Sequence, residues 1–75
     1  MEEFKLTYPI KFFNALNDLD VRSTIGIHGF TIEGSGSDGG SREFYFQGDP
    51  RGIPAVLDEL REMDVGIQEM SNMSK

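Results

Sequence analysis

The sequence predicts an α+β domain in which a four-stranded antiparallel sheet carries two helices on one face. The stretch from Arg42 to Glu69 has the pattern of strand, helix and strand, and two further alternating runs and a further helical stripe precede it. A helix that crosses between two strands needs a sheet to lie on, so the first half of the chain must supply the remaining strands.

The first strand is predicted over Phe4 to Tyr8, where apolar and polar residues alternate; residues 1–3 are expected to be frayed. Pro9 ends the strand because it donates no ladder hydrogen bond, and it can open a helix. A short first helix, ending near residues 18–20, is predicted from an apolar stripe at helical spacing. The stripe consists of Phe12, Phe13, Leu16 and Leu19.

A second extended run is predicted over residues 21–33. Ile25 and Ile27 share one parity while Phe30 and Ile32 have the other. A change of parity marks one extra residue, so a bulge is predicted at His28-Gly29. The following segment, 34–41, contains only Gly, Ser and Asp, and is predicted to be a flexible hairpin loop.

The third strand places Phe44 and Phe46 on one face, with Glu43, Tyr45 and Gln47 on the other. Asp49 is a suitable helix N-cap and Pro50 a suitable first helical residue. The second helix is predicted from the apolar stripe Ile53, Val56, Leu57, Leu60 and Met63. Val65 and Ile67 resume alternation and predict the last strand, and residues 71–75 are predicted to form a loose tail.

The resulting order, βαββαβ, predicts a ferredoxin-like arrangement with the first and third strands central and their phenylalanines in the core. The sheet face without helices is expected to carry Lys5, Thr7, Thr24, Tyr45 and Gln68. Because a small half-covered sheet often pairs with another copy, a homodimer is expected.

Composition limits the possible functions. The chain has 75 residues, a net charge of −6 and no cysteine, so it predicts one small domain without disulfides or thiolate metal sites. The charge argues against nucleic-acid binding, and no apolar run or leader predicts membrane association, so a cytoplasmic protein is expected. A nucleic-acid mimic is the less favoured explanation of the charge.

The candidate chemical motifs favour ordinary structural roles. Residues 34–39 spell G-x-G-x-x-G, but a strand rather than a helix follows, as in a hairpin and unlike a dinucleotide site. His28 is the sole histidine, so a metal site is not expected, and a pH-sensing role is less favoured than a solvated one. The acids of the second helix are interpreted as solvated charge or as a surface for a basic partner. No catalytic set is present, so neither an enzyme nor a cofactor is expected.

The chain resembles the ACT-like group of regulatory domains, and within it NIL domains. The resemblance rests on Leu6-Thr7-Tyr8-Pro9, Ile27-His28-Gly29 and Gly48-Asp49 in this order, and covers nearly the whole chain. It implies a homodimeric sensor of a small molecule, such as an amino acid. By position, the implied ligand-binding residues are Tyr8, Pro9, Ile10 and Lys11 of the first turn, and Ile27, His28 and Gly29 of a facing segment. Ile10 departs from the pattern, where a glycine normally follows the proline.

The alternative is a small acidic protein-interaction module or inhibitor. It would bind a partner protein through its open sheet face or a sheet edge, without a ligand. The negative charge and Ile10 motivate this hypothesis. A third reading, a scaffold piece of a larger enzyme, also stays open.

Overall fold

A computed structural model describes residues 1–74 of the chain. Its elements are β1 (Glu2–Pro9), α1 (Ala15–Ile27), β2 (Thr31–Asp38), β3 (Ser41–Gly48), α2 (Ile53–Glu62) and β4 (Glu69–Asn72). The four strands form one antiparallel sheet in the order β2-β3-β1-β4, so the first and third strands are central, as predicted. The architecture is consistent with a ferredoxin-like fold, which confirms the predicted fold class.

The core lies between the sheet and both helices. Phe4 and Leu6 of β1 pair with Phe46 and Phe44 of β3 across the central ladder. The rings of Phe4 and Phe46 stack with centroids 5.7 Å apart, and Phe30 meets both of them edge-on. The helices complete the core with Val21, Ile25, Val56 and Leu60. The predicted packing of the strand phenylalanines is therefore confirmed.

The first helix lies further along the chain than its apolar stripe predicts. Pro9 opens only a short 3-10 turn at Ile10–Phe12, and Asn14 is the N-cap of α1, its side chain accepting the Asn17 backbone N–H at 2.8 Å. The buried face of α1 consists of Val21, Thr24 and Ile25. The predicted stripe, Phe12, Phe13, Leu16 and Leu19, is exposed instead.

Helix α1 also continues through residues predicted as strand. It ends at His28-Gly29, where Gly29 has a φ of 87°. The N–H of Gly29 donates to the carbonyl of Gly26 at 3.0 Å, and the N–H of Phe30 donates to Ile25 at 3.3 Å. This pair of bonds around a left-handed glycine is a Schellman termination. The predicted bulge at this position is therefore wrong, because the dipeptide ends a helix.

The segment predicted to be a flexible loop, 34–41, is mostly strand. β2 continues to Asp38 and β3 begins at Ser41. Only Gly39 and Gly40 connect them, and the φ of 57° at Gly39 suits a tight hairpin. The irregularity of β2 lies between Ile32 and Gly34. The segment has no apolar side chains whose alternation could predict a strand. It is a strand because its backbone pairs with β3.

The second half of the chain agrees better with the predicted pattern. The Asp49 side chain accepts the Arg51 backbone N–H at 2.9 Å and so caps a 3-10 turn, Pro50–Gly52, after which α2 begins. Within α2, Val56 and Leu60 are fully buried, which confirms the predicted stripe.

The last strand and the tail differ from the prediction. Val65 is buried but lies in the connection before β4, which starts at Glu69. Residues 71 and 72 belong to β4, and the N–H of Met73 donates to the carbonyl of Glu3 at 2.7 Å. Of the segments expected to be loose, residues 2 and 3 therefore pair with β3, and residues 71 and 72 pair with β1; Lys75 lies outside the described residues.

Candidate functional site

The first half of the predicted ligand site lies at one end of the sheet. Pro9, the last residue of β1, pairs with Ser41, and the N–H of Ile10 donates to the carbonyl of Gly40 at 2.8 Å. The Lys11 ammonium lies 5.2 Å from the centre of the Phe12 ring. The turn formed by residues 8–11 therefore packs against the β2–β3 hairpin.

The second half of the predicted site, Ile27, His28 and Gly29, lies at the opposite end. His28 is a neighbour of Gly52, because a Cβ added at Gly52 would lie 3.3 Å from the carbonyl oxygen of His28. Gly52 follows the end of β3, which pairs with the start of β1. β1 has eight residues, which at the usual rise span about 26 Å. The structure therefore does not bring the two predicted segments together, because α1 carries residues 27–29 away from the first turn.

Tyr8 is buried in the core rather than presented to a ligand. Its ring stacks on Phe44 at 6.3 Å, and its hydroxyl has no hydrogen-bond partner among the described residues. Burial, together with the nearby Asp18 carboxylate, raises the pKa of Tyr8 despite the opposing effect of Arg42 and Arg22. The hydroxyl is thus neutral at physiological pH.

A charged cluster joins α1 to the sheet near Tyr8. Arg42 Nε donates to Asp18 Oδ1 at 2.8 Å, and Arg22 Nε donates to Asp18 Oδ2 at 3.0 Å. Arg22 also donates to Ser35 Oγ at 2.6 Å. Burial would raise the pKa of Asp18, but the hydrogen bonds from both guanidinium groups outweigh it and keep that pKa below the usual value. The Asp18 carboxylate therefore has a structural role, since its contacts with Arg22 and Arg42 hold α1 on the sheet.

The open face of the sheet is polar and internally paired. Lys5 Nζ lies 3.4 Å from Glu43 Oε1 and 4.0 Å from Glu69 Oε1, and the Tyr45 hydroxyl donates to Glu43 at 3.3 Å. Lys5, Thr7 and Tyr45 alternate with the core residues of their strands, so their predicted place on this face is confirmed. Thr24 is instead buried on α1.

The outer face of α1 is apolar as well as the inner one. Leu16, Leu19 and Ile27 are 73%, 58% and 78% exposed. Together with Ser23 they lie at i, i+3, i+7 and i+11 of one helix, which places them on one side. We call this set, Leu16, Leu19, Ser23 and Ile27, the α1 outer face. Sequence reasoning identified Leu16 and Leu19 as an apolar helical pair but assigned them to the core.

Acidic side chains border the α1 outer face on the side of α2. Thr24 Oγ1 lies 3.9 Å from Met63 Sδ, and His28 Nε2 lies 3.2 Å from Glu59 Oε1. These contacts show that the helices run antiparallel and that the Thr24 flank of α1 faces α2.

Helical spacing then locates three exposed acids near this flank, two on α2 and one on α1 about a turn beyond the point where α2 ends. Asp20 lies one turn before Thr24, Glu59 one turn before Met63, and Glu62 one turn after Glu59. We call Asp20, Glu59 and Glu62 the acidic row. Sequence reasoning noted the acids of α2 but could not join Asp20 to them, since it placed residue 20 at the end of a differently positioned helix.

The described residues offer little else to a ligand. Among residues 1–74, no three His, Cys, Asp or Glu side chains form a group able to hold a metal ion. Within the same range, neither helix has the length and apolar character needed to cross a membrane. The α1 outer face, with its exposed Leu16, Leu19 and Ile27, and the acidic row beside it form the candidate functional site.

Comparison with known proteins adds no family to this picture. No family model matches the chain. A search of curated proteins also finds no match. The resemblance to ACT-like and NIL domains therefore stays a prediction from the sequence.

Proposed function

We propose that this chain is a small protein-interaction module that docks on a partner protein through its helical layer. The observation that supports the proposal is the exposure of the α1 outer face, whose Leu16, Leu19 and Ile27 are more than half exposed. Single exposed apolar side chains are ordinary on protein surfaces, whereas aligned ones mark interaction sites. A helix that is apolar on both sides is normally covered on both sides.

The other candidate, an amino-acid sensor of the ACT-like kind, has less support. It requires residues 8–11 and 27–29 to form one site, and the length of β1 separates them. Amino-acid binding stays a prediction, and thermal shift tests it. A ligand present at about 100 times its dissociation constant stabilises a protein by about 2.7 kcal/mol. The interaction proposal expects no such shift with any of the common amino acids at millimolar concentration.

Affinity capture with paired baits tests the interaction proposal. The first bait is the wild-type chain and the second carries Leu16→Gln and Leu19→Gln, two exposed changes that keep helix-forming residues. A third bait carries Gln47→Ala and Glu69→Ala on the open sheet face. Circular dichroism melts confirm that all three are folded.

The expected result is a partner that binds the wild type and the sheet-face variant but not the helix variant. Equal capture by the wild type and the helix variant would contradict the proposal. Loss of the partner from the sheet-face variant alone would instead support docking through the open face of the sheet, with Lys5 and Tyr45 at its centre.

A further inference from the structure

We infer that the segment docking on this surface is a basic amphipathic helix, whose apolar side covers the α1 outer face while its Lys and Arg side chains meet the acidic row. This inference rests on the proposed function and names the chemistry of its partner. It follows from three features of the surface: its length, its shape and its charge.

The length and shape of the surface suit a helix. α1 has 13 residues and is therefore about 20 Å long, which equals three to four turns of a partner helix. Ser23 and Gly26 are small, and Gly26 has no neighbouring atom within 4 Å of an added Cβ. The large side chains of Leu19 and Ile27 thus stand on either side of a lower region at Ser23 and Gly26. Packed helices need such a depression, since their axes lie about 8–10 Å apart.

The negative charge of the acidic row, beside the α1 outer face, favours a partner that carries cations. Asp58 lies 3.6 Å from Arg61, but Glu59 is close only to His28, and the described residues show no ion pair for Asp20 or Glu62. The nearest strong cation on α1, Arg22, is held on the opposite flank by Asp18 and Ser35. A partner that brings Lys or Arg to the acidic row therefore supplies cations to carboxylates that lack one among the described residues, and its charge steers its association.

A second copy of this chain is a poorer occupant for the same reason. A two-fold axis between antiparallel copies of α1 would place the same flank of each helix together, so each acidic row would face its copy. Each chain also carries a net charge of −6. Like charges brought together oppose association, so charge complementarity favours a basic partner over self-association.

Synthetic peptides of about 14 residues, long enough to cover α1, provide the probe. One peptide has Leu at helical spacing with Lys elsewhere, a second replaces each Lys by Glu, and a third scrambles the first so that no apolar side remains. Each is titrated into the isotope-labelled full chain, and amide shifts are followed by NMR at about 0.05 M and about 0.5 M salt.

The inference expects the Leu–Lys peptide to shift amides of α1 and α2 rather than those of the sheet. Its affinity should exceed that of the Leu–Glu and scrambled peptides by about tenfold or more and fall at high salt. Equal binding of the Leu–Lys and Leu–Glu peptides, or shifts confined to the open sheet face, would overturn it.

A matched pair of variants separates a specific site from general attraction to an acidic protein. One variant carries Asp20→Asn, Glu59→Gln and Glu62→Gln. The control carries Glu3→Gln, Glu33→Gln and Asp38→Asn, which remove the same charge from exposed positions of β1 and β2. The row variant should bind the Leu–Lys peptide about fivefold more weakly or worse, and the control should stay within about twofold of the wild type. Equal losses would overturn the inference.

The bait experiment and the peptide experiment can fail independently. A partner lost from the Leu16→Gln, Leu19→Gln bait without any preference for the Leu–Lys peptide leaves the interaction proposal standing and removes only the basic helix. Sedimentation at about 0.1 mM protein provides the remaining check, since that concentration suffices to populate a weak dimer. A dimer that the same Leu variant dissociates would make the second copy the occupant and overturn the inference.

Discussion

Arg42 Nε donates a hydrogen bond to Asp18 Oδ1 at 2.8 Å and so ties helix α1 to the central strand β3 across 24 positions of sequence. Both side chains are shielded from water, at 12% and 14% exposure. The Arg42 guanidinium also lies over the rings of Phe13 and Phe44. Arg22, which shares the same carboxylate, also reaches Ser35 of β2, so this cluster anchors one flank of α1 to the sheet. Val21 and Ile25 are buried against the sheet, and Leu16 and Leu19 lie on the other side of the helix and point outward.

Replacing Asp18 should therefore destabilise the fold. Asp18→Asn removes the negative charge that two guanidinium groups share, and leaves Arg42 partly buried without a counterion. Hydrogen bonds to charged groups contribute about 1.5–3 kcal/mol each, so a loss of about 1–3 kcal/mol in the free energy of unfolding is expected. Urea denaturation measures it. The control is Asp49→Asn, since the Asp49–Arg51 pair is exposed and Asn caps a helix as well as Asp; an equal loss in this control would contradict the explanation.

The same carboxylate gives a pH dependence with a defined sign. The folded-state pKa of Asp18 lies below the ordinary value of 3.8, so its contribution is complete above about pH 4 and is lost as the pH falls through the lowered pKa. The wild type and Asp18→Asn should therefore converge in stability as the pH falls from 3.8 through the lowered pKa of Asp18. A constant difference over the whole acidic range would show that Asp18 acts without its charge.

Two tyrosines should respond oppositely to removal of the hydroxyl. The Tyr8 hydroxyl is buried without a partner among the described residues, so Tyr8→Phe should stabilise the chain by about 1 kcal/mol, since an unsatisfied buried group costs about 1–3 kcal/mol. The Tyr45 hydroxyl donates to Glu43, so Tyr45→Phe should cost about 0.5–1.5 kcal/mol. Thermal and urea unfolding measure both. A loss of stability in Tyr8→Phe would indicate that the hydroxyl has an unseen partner.

The dependence of stability on pH above neutrality provides a second test of Tyr8. Its pKa is raised by burial, so the stability that depends on a neutral hydroxyl is complete below pH 10 and declines as the pH rises toward the raised value. Tyr8→Phe should flatten this decline, whereas Tyr45→Phe should leave the part due to Tyr8 in place.

Local patterns predicted β1, β3 and α2 because each of these elements has one apolar face. Phe44 and Phe46 alternate with polar residues, and Val56 and Leu60 repeat at helical spacing, so a single pattern decides each element. The edge strand β2 escaped prediction for the opposite reason. Its Gly and Ser residues carry no side-chain pattern, and only pairing with β3 makes them a strand.

The region of α1 could not be assigned from local pattern, because it has two apolar faces. Leu16 and Leu19 form one stripe, and Val21 and Ile25 form another on the opposite side. The choice of the inner stripe depends on tertiary contacts such as Asp18–Arg42, which the sequence does not display. The cap at Asn14 was the available signal for the true start of the helix. The candidate site was missed with it, since its apolar residues were assigned to the core.

Two glycines near the end of α1 should respond with opposite signs to alanine. Gly29 has a φ of 87°, a conformation that costs an L residue about 1–2 kcal/mol, so Gly29→Ala should destabilise by that amount. Gly26 is helical with no atom within 4 Å of an added Cβ, so Gly26→Ala should stabilise by about 0.5–1 kcal/mol. Urea midpoints distinguish them. Stabilisation by Gly29→Ala would contradict the helix termination at this residue.

Gly48 provides space for the Phe30 ring at the end of the core. A Cβ at Gly48 would overlap Phe30 Cδ1 and lie 2.9 Å from Phe30 Cε1, and that ring is held edge-on by Phe4 and Phe46. Gly48→Ala should therefore displace the ring and destabilise by about 1–3 kcal/mol, as overpacking does. Gly34→Ala on β2 is the matched control, because an added Cβ there meets no atom within 4 Å, and its free energy of unfolding should be unchanged or slightly higher. Phe30 directly follows Gly29, the residue at which α1 terminates. If Gly48→Ala left the free energy of unfolding unchanged, the Phe30 ring would be able to repack. The contact between the end of α1 and the end of β3 would then be looser than the structure indicates.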